Sequence, residues 1–179
     1  CGTHLNIQGR KETERQRREA EAQLGQVLEG AEIYFWDWNI KTDKVIHDPR
    51  WGKFLGYDQG EIESTLEQCI RLVHPDDLPK FQKALDDHIQ GKSKVVDVEY
   101  RVLKKSGEYI WVLDKGKVLT WDDDGKPLRA YGTYLNIQDR KEAEESIRAY
   151  QKRNEMILGS AAEGIYGLDL NGITTFVNT

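Results

Sequence analysis

The residues that most often carry catalysis or bind metals are few in this sequence. Its 179 residues include four histidines and two cysteines. His47, His74 and His88 have no cysteine or acidic pattern near them at the spacing of a metal site, and no serine or cysteine lies in a nucleophile signature. The sequence therefore predicts no metal site, no catalytic residue and no enzymatic activity within this stretch.

Two of the reactive side chains have structural interpretations. His74 directly precedes Pro75 and is interpreted as the residue that leads into a helix. Cys69 is interpreted as a structural thiol, because Cys69 and Cys1 form neither a disulfide framework nor a paired metal motif.

Composition and charge narrow the functional classes. The net charge of -5 argues against general nucleic-acid binding. No apolar run approaches the roughly 18 residues of a membrane span, and no signal peptide opens the sequence. We therefore expect a cytoplasmic domain, with any membrane anchor outside this sequence.

An internal repeat organises the sequence. Residues 2–14 match residues 132–144 at ten of thirteen positions, and residues 162–171 resemble residues 31–39. An offset of 130 residues is the length of a domain rather than of a solenoid unit. We therefore divide the sequence into the end of one domain (1–8), a linker helix (9–30), a complete domain (31–138), an output linker helix (139–158) and the start of a further domain (159–179).

Hydrophobic periodicity predicts the secondary structure of the first half of the complete domain. Ile33–Asn39 is apolar at almost every position, which predicts a strand covered on both faces, and Lys44–His47 predicts a second strand. Residues 48–73 predict short helices broken at glycines, the first of them Gly52. A firmer helix is predicted from Pro75 to the stop at Gly91.

The sequence pattern in the second half of the complete domain predicts strands. Residues 96–102 alternate between apolar and polar, and turns then lead into strands at residues 109–113 and 128–137. Strands at both ends with helices between them predict an α+β fold, with the helices on one face of an antiparallel sheet.

The two segments that flank the domain predict helices with weak apolar seams. Both are rich in charged residues, and their apolar positions alternate at steps of three and four. We expect these helices to pair in a homodimer; the alternative is a solvated linker helix that pairs with nothing. The seam residues are Ala20, Leu24 and Val27 in the first helix and Ile147, Tyr150 and Ile157 in the second.

The sequence of the complete domain resembles a PAS domain that ends in a PAC motif. The matching motifs lie at residues 36–38, 51–57, 73–77, 99–101, 107–112 and 132–141, in the order of the family. The resemblance implies a five-stranded antiparallel sheet with short helices on one face, flanked by N- and C-terminal signalling helices. The partial repeats at residues 2–14 and 162–171 resemble parts of neighbouring PAS domains. They imply a bacterial signalling protein with neighbouring PAS domains and an output domain in the same chain.

The resemblance also implies a small-molecule cavity between sheet and helices. Few charged residues fall on the apolar positions, so we expect any ligand to be small and mostly apolar. The alternative is that these side chains only fill the core. The expected lining residues are Trp38, Trp51, Phe54, Leu55, Ile70, Leu85, Trp111 and Tyr131.

No cofactor is identifiable, and the residues favour neither haem nor flavin. A helix histidine binds haem in some PAS sensors, but Asp86 and Asp87 beside His88 indicate an exposed face. Cys69 lacks the Asn-Cys-Arg context of the flavin-binding light sensors in this superfamily.

The junction between the last strand and the output helix is expected to relay the signal. Asn136, Ile137 and Gln138 stand where family members often carry Asp-Ile-Thr, and Arg140 follows. Asn136 is expected to cap the helix, with Asp139 as its capping-box partner. The sharper hypothesis is that this junction couples movement of the strand to rotation of the helix.

The sequence thus predicts a sensory and dimerising module rather than an enzyme. The family resemblance implies that the output domain is a histidine kinase, with a diguanylate cyclase or phosphodiesterase as the alternative. A further alternative is a structural or docking repeat that binds no ligand.

Overall fold

A five-stranded antiparallel sheet forms the centre of the structure. The computed structural model describes residues 2–160 and 166–177. In chain order the strands are β1 (Ile33–Asn39), β2 (Lys44–His47), β3 (Val96–Leu103), β4 (Tyr109–Trp121) and β5 (Pro127–Asn136). Their order across the sheet is β2-β1-β5-β4-β3, with neighbours antiparallel. This sheet confirms the predicted fold class.

The described residues form five helices. They are α1 (Gly2–Gly30), α2 (Pro49–Phe54), α3 (Leu66–Leu72), α4 (Leu78–Ile89) and α5 (Gln138–Ser160). The three helices between β2 and β3 bury Trp51, Leu72 and Phe81 against the inner face of the sheet. The structure divides into two compact units, the first ending at Ile137 and the second beginning at Gln138.

The first strand is buried on one face only. Tyr34, Trp36 and Trp38 are buried, whereas Phe35 between them is 43% exposed. The prediction of a strand covered on both faces was therefore wrong. Aromatic residues at consecutive positions hid the alternation that the sheet imposes, because the outward face also carries an apolar side chain.

The short helices begin at side-chain caps. The Asp48 carboxylate accepts a hydrogen bond from the Arg50 amide, and the Thr65 hydroxyl accepts one from the Gln68 amide. Gly52 lies inside α2 and does not break it, contrary to prediction. A glycine weakens a helix by only about 1 kcal/mol, which the burial of Trp51 offsets.

The fourth helix starts later than Pro75 predicts. It begins at Leu78, with Pro79 in its first turn. The carboxylate of Asp77 does not cap it, because both oxygens accept hydrogen bonds from the Arg101 guanidinium, at 2.8 and 3.0 Å. This ion pair fastens the start of α4 to β3.

The first helix includes residues whose copies form a strand. Residues 2–8 repeat the sequence of residues 132–138, most of which belong to β5, but lie in α1. A strand needs hydrogen-bonding neighbours, and in the complete domain β1 and β4 already pair with β5. That residues 1–8 end a preceding domain stays a prediction; Cys1 lies outside the described residues.

The second unit contains α5 and a short hairpin. Within α5, Arg140 pairs with Glu144 at 2.7 Å. Strands β6 (Tyr166–Leu168) and β7 (Thr174–Val177) pair antiparallel. A further domain starting at residue 159 stays a prediction, and residues 161–165 and 178–179 of that segment lie outside the described residues. No described helix combines the length and the apolar character of a membrane span.

Two glycines make room for the Trp36 side chain. Trp36 lies opposite Gly132 of β5, which in turn lies opposite Gly116 of β4. A Cβ atom on either glycine would come under 3.0 Å from the indole ring. The ring therefore crosses the backbones of two neighbouring strands. Strand β4 also continues through Gly116 to Trp121, whereas the sequence predicted that it ends near Leu113.

This close approach predicts a large penalty for a single methyl group. We expect Gly132→Ala to lower the free energy of unfolding by about 3 kcal/mol, because the ring and the Lys115 carbonyl both obstruct the new Cβ. Urea denaturation measures the change. Gly52→Ala is the control, since its Cβ would meet only the Tyr57 carbonyl at 3.8 Å. Equal, small effects of both substitutions would contradict the packing described.

Candidate functional site

The sheet and the helices on its inner face enclose two small adjacent cavities. The larger, about 40 Å³, is lined among others by Trp36, Trp38, Phe81, Leu85 and Asp114. The smaller, about 20 Å³, is lined among others by His47, Trp51 and Tyr100. Cys69 and Tyr134 line both. Pockets for drug-sized ligands have volumes of roughly 300 Å³ or more, so these cavities fit small molecules or water.

A buried carboxylate lies at the wall of the larger cavity. Asp114 of β4 is 4% exposed. Its Oδ1 accepts a hydrogen bond from Trp36 Nε1 at 2.9 Å, and its Oδ2 accepts one from the Tyr100 hydroxyl at 3.1 Å. Both donors are neutral, so the carboxylate is hydrogen-bonded without a counter-charge. The carboxylate thereby joins β4 to β1 and β3.

Burial changes the proton affinity of this carboxyl group. Desolvation raises the pKa of Asp114 from 3.8 to about 7, although the hydrogen bonds from Trp36 and Tyr100 lower it in part. The side chain therefore exchanges its proton near neutral pH. Ionisation places a negative charge among aromatic rings that provide two hydrogen bonds and no cation.

A second polar group, which is partly buried, lies beside the smaller cavity. His47 Nε2 is 3.4 Å from Cys69 Sγ, and the thiol donates a hydrogen bond to the Thr65 carbonyl at 3.2 Å. His47 Nδ1 is buried without a hydrogen-bond partner. Burial lowers the pKa of His47 to about 4 and raises that of Cys69 to about 12, so both are neutral at pH 7. At pH 7 the thiol is therefore protonated and can donate this hydrogen bond.

Stacked rings separate the two polar groups. Tyr134 stacks on Trp51 with 4.4 Å between ring centroids and on His47 with 6.0 Å. Tyr134 also pairs with Asp114 across β4 and β5. Burial raises the pKa of both Tyr134 and Tyr100 well above 10, so these phenols are neutral. The cluster of Asp114, Tyr100, Tyr134, Cys69 and His47 thus holds one group that titrates near neutral pH.

The structure brings only part of the predicted lining together. Trp38 and Leu85 line the larger cavity, and Trp51 lines the smaller one. Phe54, Leu55 and Ile70 pack in the core without being lining residues of either cavity. The prediction was wrong for Trp111 and Tyr131, which point to the outer face.

Strand alternation explains why these two aromatics are excluded. Trp111 lies between the buried Ile110 and Val112, and therefore faces away from them. Its ring contacts the Arg101 guanidinium at 5.3 Å, and the Tyr131 ring contacts Arg129 at 5.1 Å. Both rings therefore cover charged side chains on the outer surface.

The cluster and the adjoining cavity wall contain residues that the sequence interpretation missed. These are Asp114, Trp36, Tyr100, Tyr134 and His47. For Asp114 a signal exists: Ile110, Val112 and Asp114 continue one period-two series, which places the carboxylate on the inner face. A charged residue on that face also corrects the expectation of apolar positions with few charges.

His88 is buried, although its acidic neighbours predicted exposure. It is 5% exposed, its Nε2 accepts a hydrogen bond from the Val118 amide at 2.8 Å, and its Nδ1 lies 3.0 Å from the Ser93 carbonyl. Position 88 lies seven residues after Phe81 on the buried face of α4. Both ring nitrogens have backbone partners. In the described part of the chain, no three His, Cys, Asp or Glu side chains assemble into a metal site.

The predicted relay residues fall on either side of the boundary between the two units. In the first unit, the side-chain amide of Asn136 donates a hydrogen bond to the Glu32 carboxylate. The backbone amide of Ile137 donates one to the Trp111 carbonyl at 3.0 Å. In the second unit, Gln138 donates to Glu142 at 2.8 Å, and Arg140 pairs with Glu144. Capping of α5 by Asn136 stays a prediction.

The predicted seam residues are exposed on their helices. In α1, Ala20 is exposed, and Leu24 and Val27 are 59% and 66% exposed. In α5, Ile147, Tyr150 and Ile157 are between 56% and 68% exposed. Large apolar side chains are thus available to a partner on both helices.

Comparisons with known proteins agree with this architecture. The sequence profile of the PAS fold family matches residues 44–134. A methyl sulfide methyltransferase-associated sensor of Methanosarcina acetivorans is 32% identical over 108 residues, covering 60% of this chain and 11% of that protein. A probable diguanylate cyclase, DgcE, of Escherichia coli is 26% identical over 147 residues, covering 82% and 12%. The chain thus spans a small part of either relative.

A solved structure matches most of this chain. The sensory box histidine kinase/response regulator of Burkholderia thailandensis is 32% identical, with a TM-score of 0.63, over 73% of this chain and 95% of that chain. Sheet, helices and inner cavities define an α+β domain of the kind found in sensory proteins. The chain belongs to the PAS fold family, as its motifs predicted.

Asp114 and His47 give the stability of the fold opposite dependences on pH. Asp114 binds its proton more tightly in the folded state, so its contribution is complete below pH 3.8 and is lost as the pH rises to about 7. His47 binds its proton less tightly when folded, so its contribution is present above pH 6.5 and is lost as the pH falls through about 4. Between pH 4 and 6.5 the two trends oppose each other.

Removing one group should reveal the trend of the other. We expect Asp114→Asn to gain about 4 kcal/mol relative to the unsubstituted chain between pH 4 and 7, from a pKa shift of roughly three units. His47→Gln should lose about 3 kcal/mol over the same range. Urea denaturation at several pH values measures both. Parallel curves for all three proteins would contradict the assignments.

Proposed function

We propose that residues 31–138 form a sensory module that passes a change in its buried cluster to the helix after β5. The observation that carries the proposal is the position of Asp114. Its carboxylate joins β1, β3 and β4, and it pairs across the sheet with Tyr134 of β5. Tyr134 stands four residues before the start of α5. A change of charge or ligand at Asp114 therefore occurs close to the output junction.

The end of β5 is well placed to transmit such a change. Asn136 pairs with Val112, which lies two residues from Asp114 on the same strand. The contacts of Asn136 with Glu32 and of Ile137 with Trp111 hold the junction to the start of β1 and to β4. Asn136, Ile137, Gln138 and Arg140 are the proposed relay residues.

The output domain of the parent protein is proposed to be a histidine kinase. This proposal is supported by the similarity to a sensory box histidine kinase over most of that solved chain. A diguanylate cyclase or phosphodiesterase is the alternative, supported by the similarity to a probable diguanylate cyclase. Neighbouring PAS domains in the same cytoplasmic chain are part of the proposal, supported by the sequence repeat.

A ligand-free structural or docking repeat is the competing proposal. The small volumes of the two cavities favour it, because aromatic side chains fill most of the space between sheet and helices. In that case the buried cluster would only hold the strands together, and changes in it would leave the output unaltered.

The activity of the parent protein distinguishes these proposals. We expect Asp114→Asn and Asn136→Ala each to change output activity severalfold, because one alters the buried charge and the other releases the junction. Autophosphorylation or synthesis of a cyclic dinucleotide is the readout, according to the output domain. Asp124→Asn makes the same chemical change in the exposed turn between β4 and β5 and should have no effect. Unchanged activity in both variants, with the fold intact, would support the structural repeat.

Dimerisation through the flanking helices is the second part of the proposal. The exposed seam residues on α1 and α5 support it, because a partner helix would remove them from water. We expect the 179-residue chain to sediment as a dimer and the double variant Leu24→Glu, Ile147→Glu to sediment as a monomer.

A matched control separates the seam from general charge effects. Gln26→Glu adds a single negative charge on the side of α1 opposite Leu24 and should leave the dimer intact. Analytical ultracentrifugation at several concentrations gives the mass. A monomeric unsubstituted chain, or a dimer indifferent to the double substitution, would rule out pairing through these seams.

A further inference from the structure

We propose that the larger cavity binds a small organic ammonium ion, with Asp114 as the counter-ion. This ligand class would specify what the proposed sensory module detects, and a regulatory role for the binding rests on that proposed function. The first reason is the unbalanced carboxylate. Its two observed partners, Trp36 and Tyr100, are neutral donors. A carboxylate has about four acceptor positions, so acceptor capacity remains for a ligand at the cavity wall.

The second reason is the aromatic character of the remaining wall. The rings of Trp36, Trp38, Phe81 and Tyr134 line the same cavity as Asp114. Aromatic rings attract cations through their negative faces, and tryptophan does so most strongly. A carboxylate among such rings is the recognition chemistry of ammonium and methylated ammonium ions. An anion would be repelled by Asp114, and a purely apolar ligand would leave the carboxylate without a counter-ion.

Size and donor set restrict the ligand further. The cavity volume of about 40 Å³ leaves room for only a few heavy atoms. Hard metal cations prefer six or more oxygen ligands, whereas Asp114 is the one carboxylate among the described lining residues. Methylammonium combines one positive charge, hydrogen-bond donors and a methyl group, and it serves as the probe.

The surroundings of Asp114 make binding dependent on pH. The titratable groups that face it are Tyr100 from β3, Tyr134 from β5 and Cys69 from α3, and raised pKa values keep all three neutral. From β1, β2 and α4 the lining residues are apolar or aromatic. A proton and the ammonium ion therefore compete for the same carboxylate. With a pKa of about 7 for Asp114, affinity should be about tenfold lower at pH 6 than at pH 8.

The indole N–H of Trp36 donates a hydrogen bond to Asp114, so its NMR signal reports directly on occupancy of the cavity. We expect methylammonium chloride, titrated into the 179-residue chain at pH 8, to shift this NMR signal saturably in the millimolar range. Methanol and sodium chloride should produce no saturable shift. The Trp36 signal is identified by its loss in Trp36→Phe.

Two variants and one control complete the test. Asp114→Asn should weaken binding at least tenfold, and Asp124→Asn should not change it. Leu85→Phe keeps the carboxylate but fills the cavity, and should also abolish binding; it covers the case in which Asp114→Asn fails to fold. No saturable shift in the unsubstituted chain, an equal response to methanol, or undiminished binding by folded Asp114→Asn would overturn the proposal. The sensory function has a separate readout, the output activity of the parent protein, and its failure is distinguishable.

Discussion

The buried carboxylate of Asp114 is the constraint on which the rest of the inner face depends. A charge removed from water needs hydrogen bonds or a counter-ion, and here Trp36 and Tyr100 supply hydrogen bonds only. For the Trp36 indole to reach Asp114, its ring must cross two strands, and glycines at 116 and 132 leave the space. One polar group thus fixes residues on four elements of the domain.

This arrangement connects chemistry in the core to the end of the sheet. The strand that carries Asp114 is paired with β5 as far as Asn136, so the cluster and the output junction share one hydrogen-bonded ladder. The outer face shows a different design, in which Arg101 and Arg129 lie over Trp111 and Tyr131. Arg129 also forms an ion pair with Asp37, with 2.7 Å between Arg129 Nε and Asp37 Oδ1. The carboxylate of Asp114 on the inner face has neutral hydrogen-bond donors instead.

The sheet and its helices followed from the sequence because local patterns encode them. Alternation in β3 and the turn at Gly107 depend on neighbouring residues, and so do the caps that the structure adds at Asp48 and Thr65. The inner cluster depends on residues far apart, such as Trp36 and Asp114, and no local pattern reports that contact. The end of β4 was misjudged because Asp114 and Gly116 do not favour strands on their own. The exposure of His88 was misjudged because its acidic neighbours outweighed its place on the apolar face of α4.

The ionisation of Asp114 in the folded chain tests the central claim most directly. The NMR chemical shift of its side-chain carboxyl carbon, followed against pH in the 179-residue chain, reports that single group. An uncompensated buried carboxylate predicts a midpoint close to pH 7. A midpoint near 3.8, the ordinary value for aspartate, would show that the group is solvated or paired with a cation, and would contradict the account of the cluster.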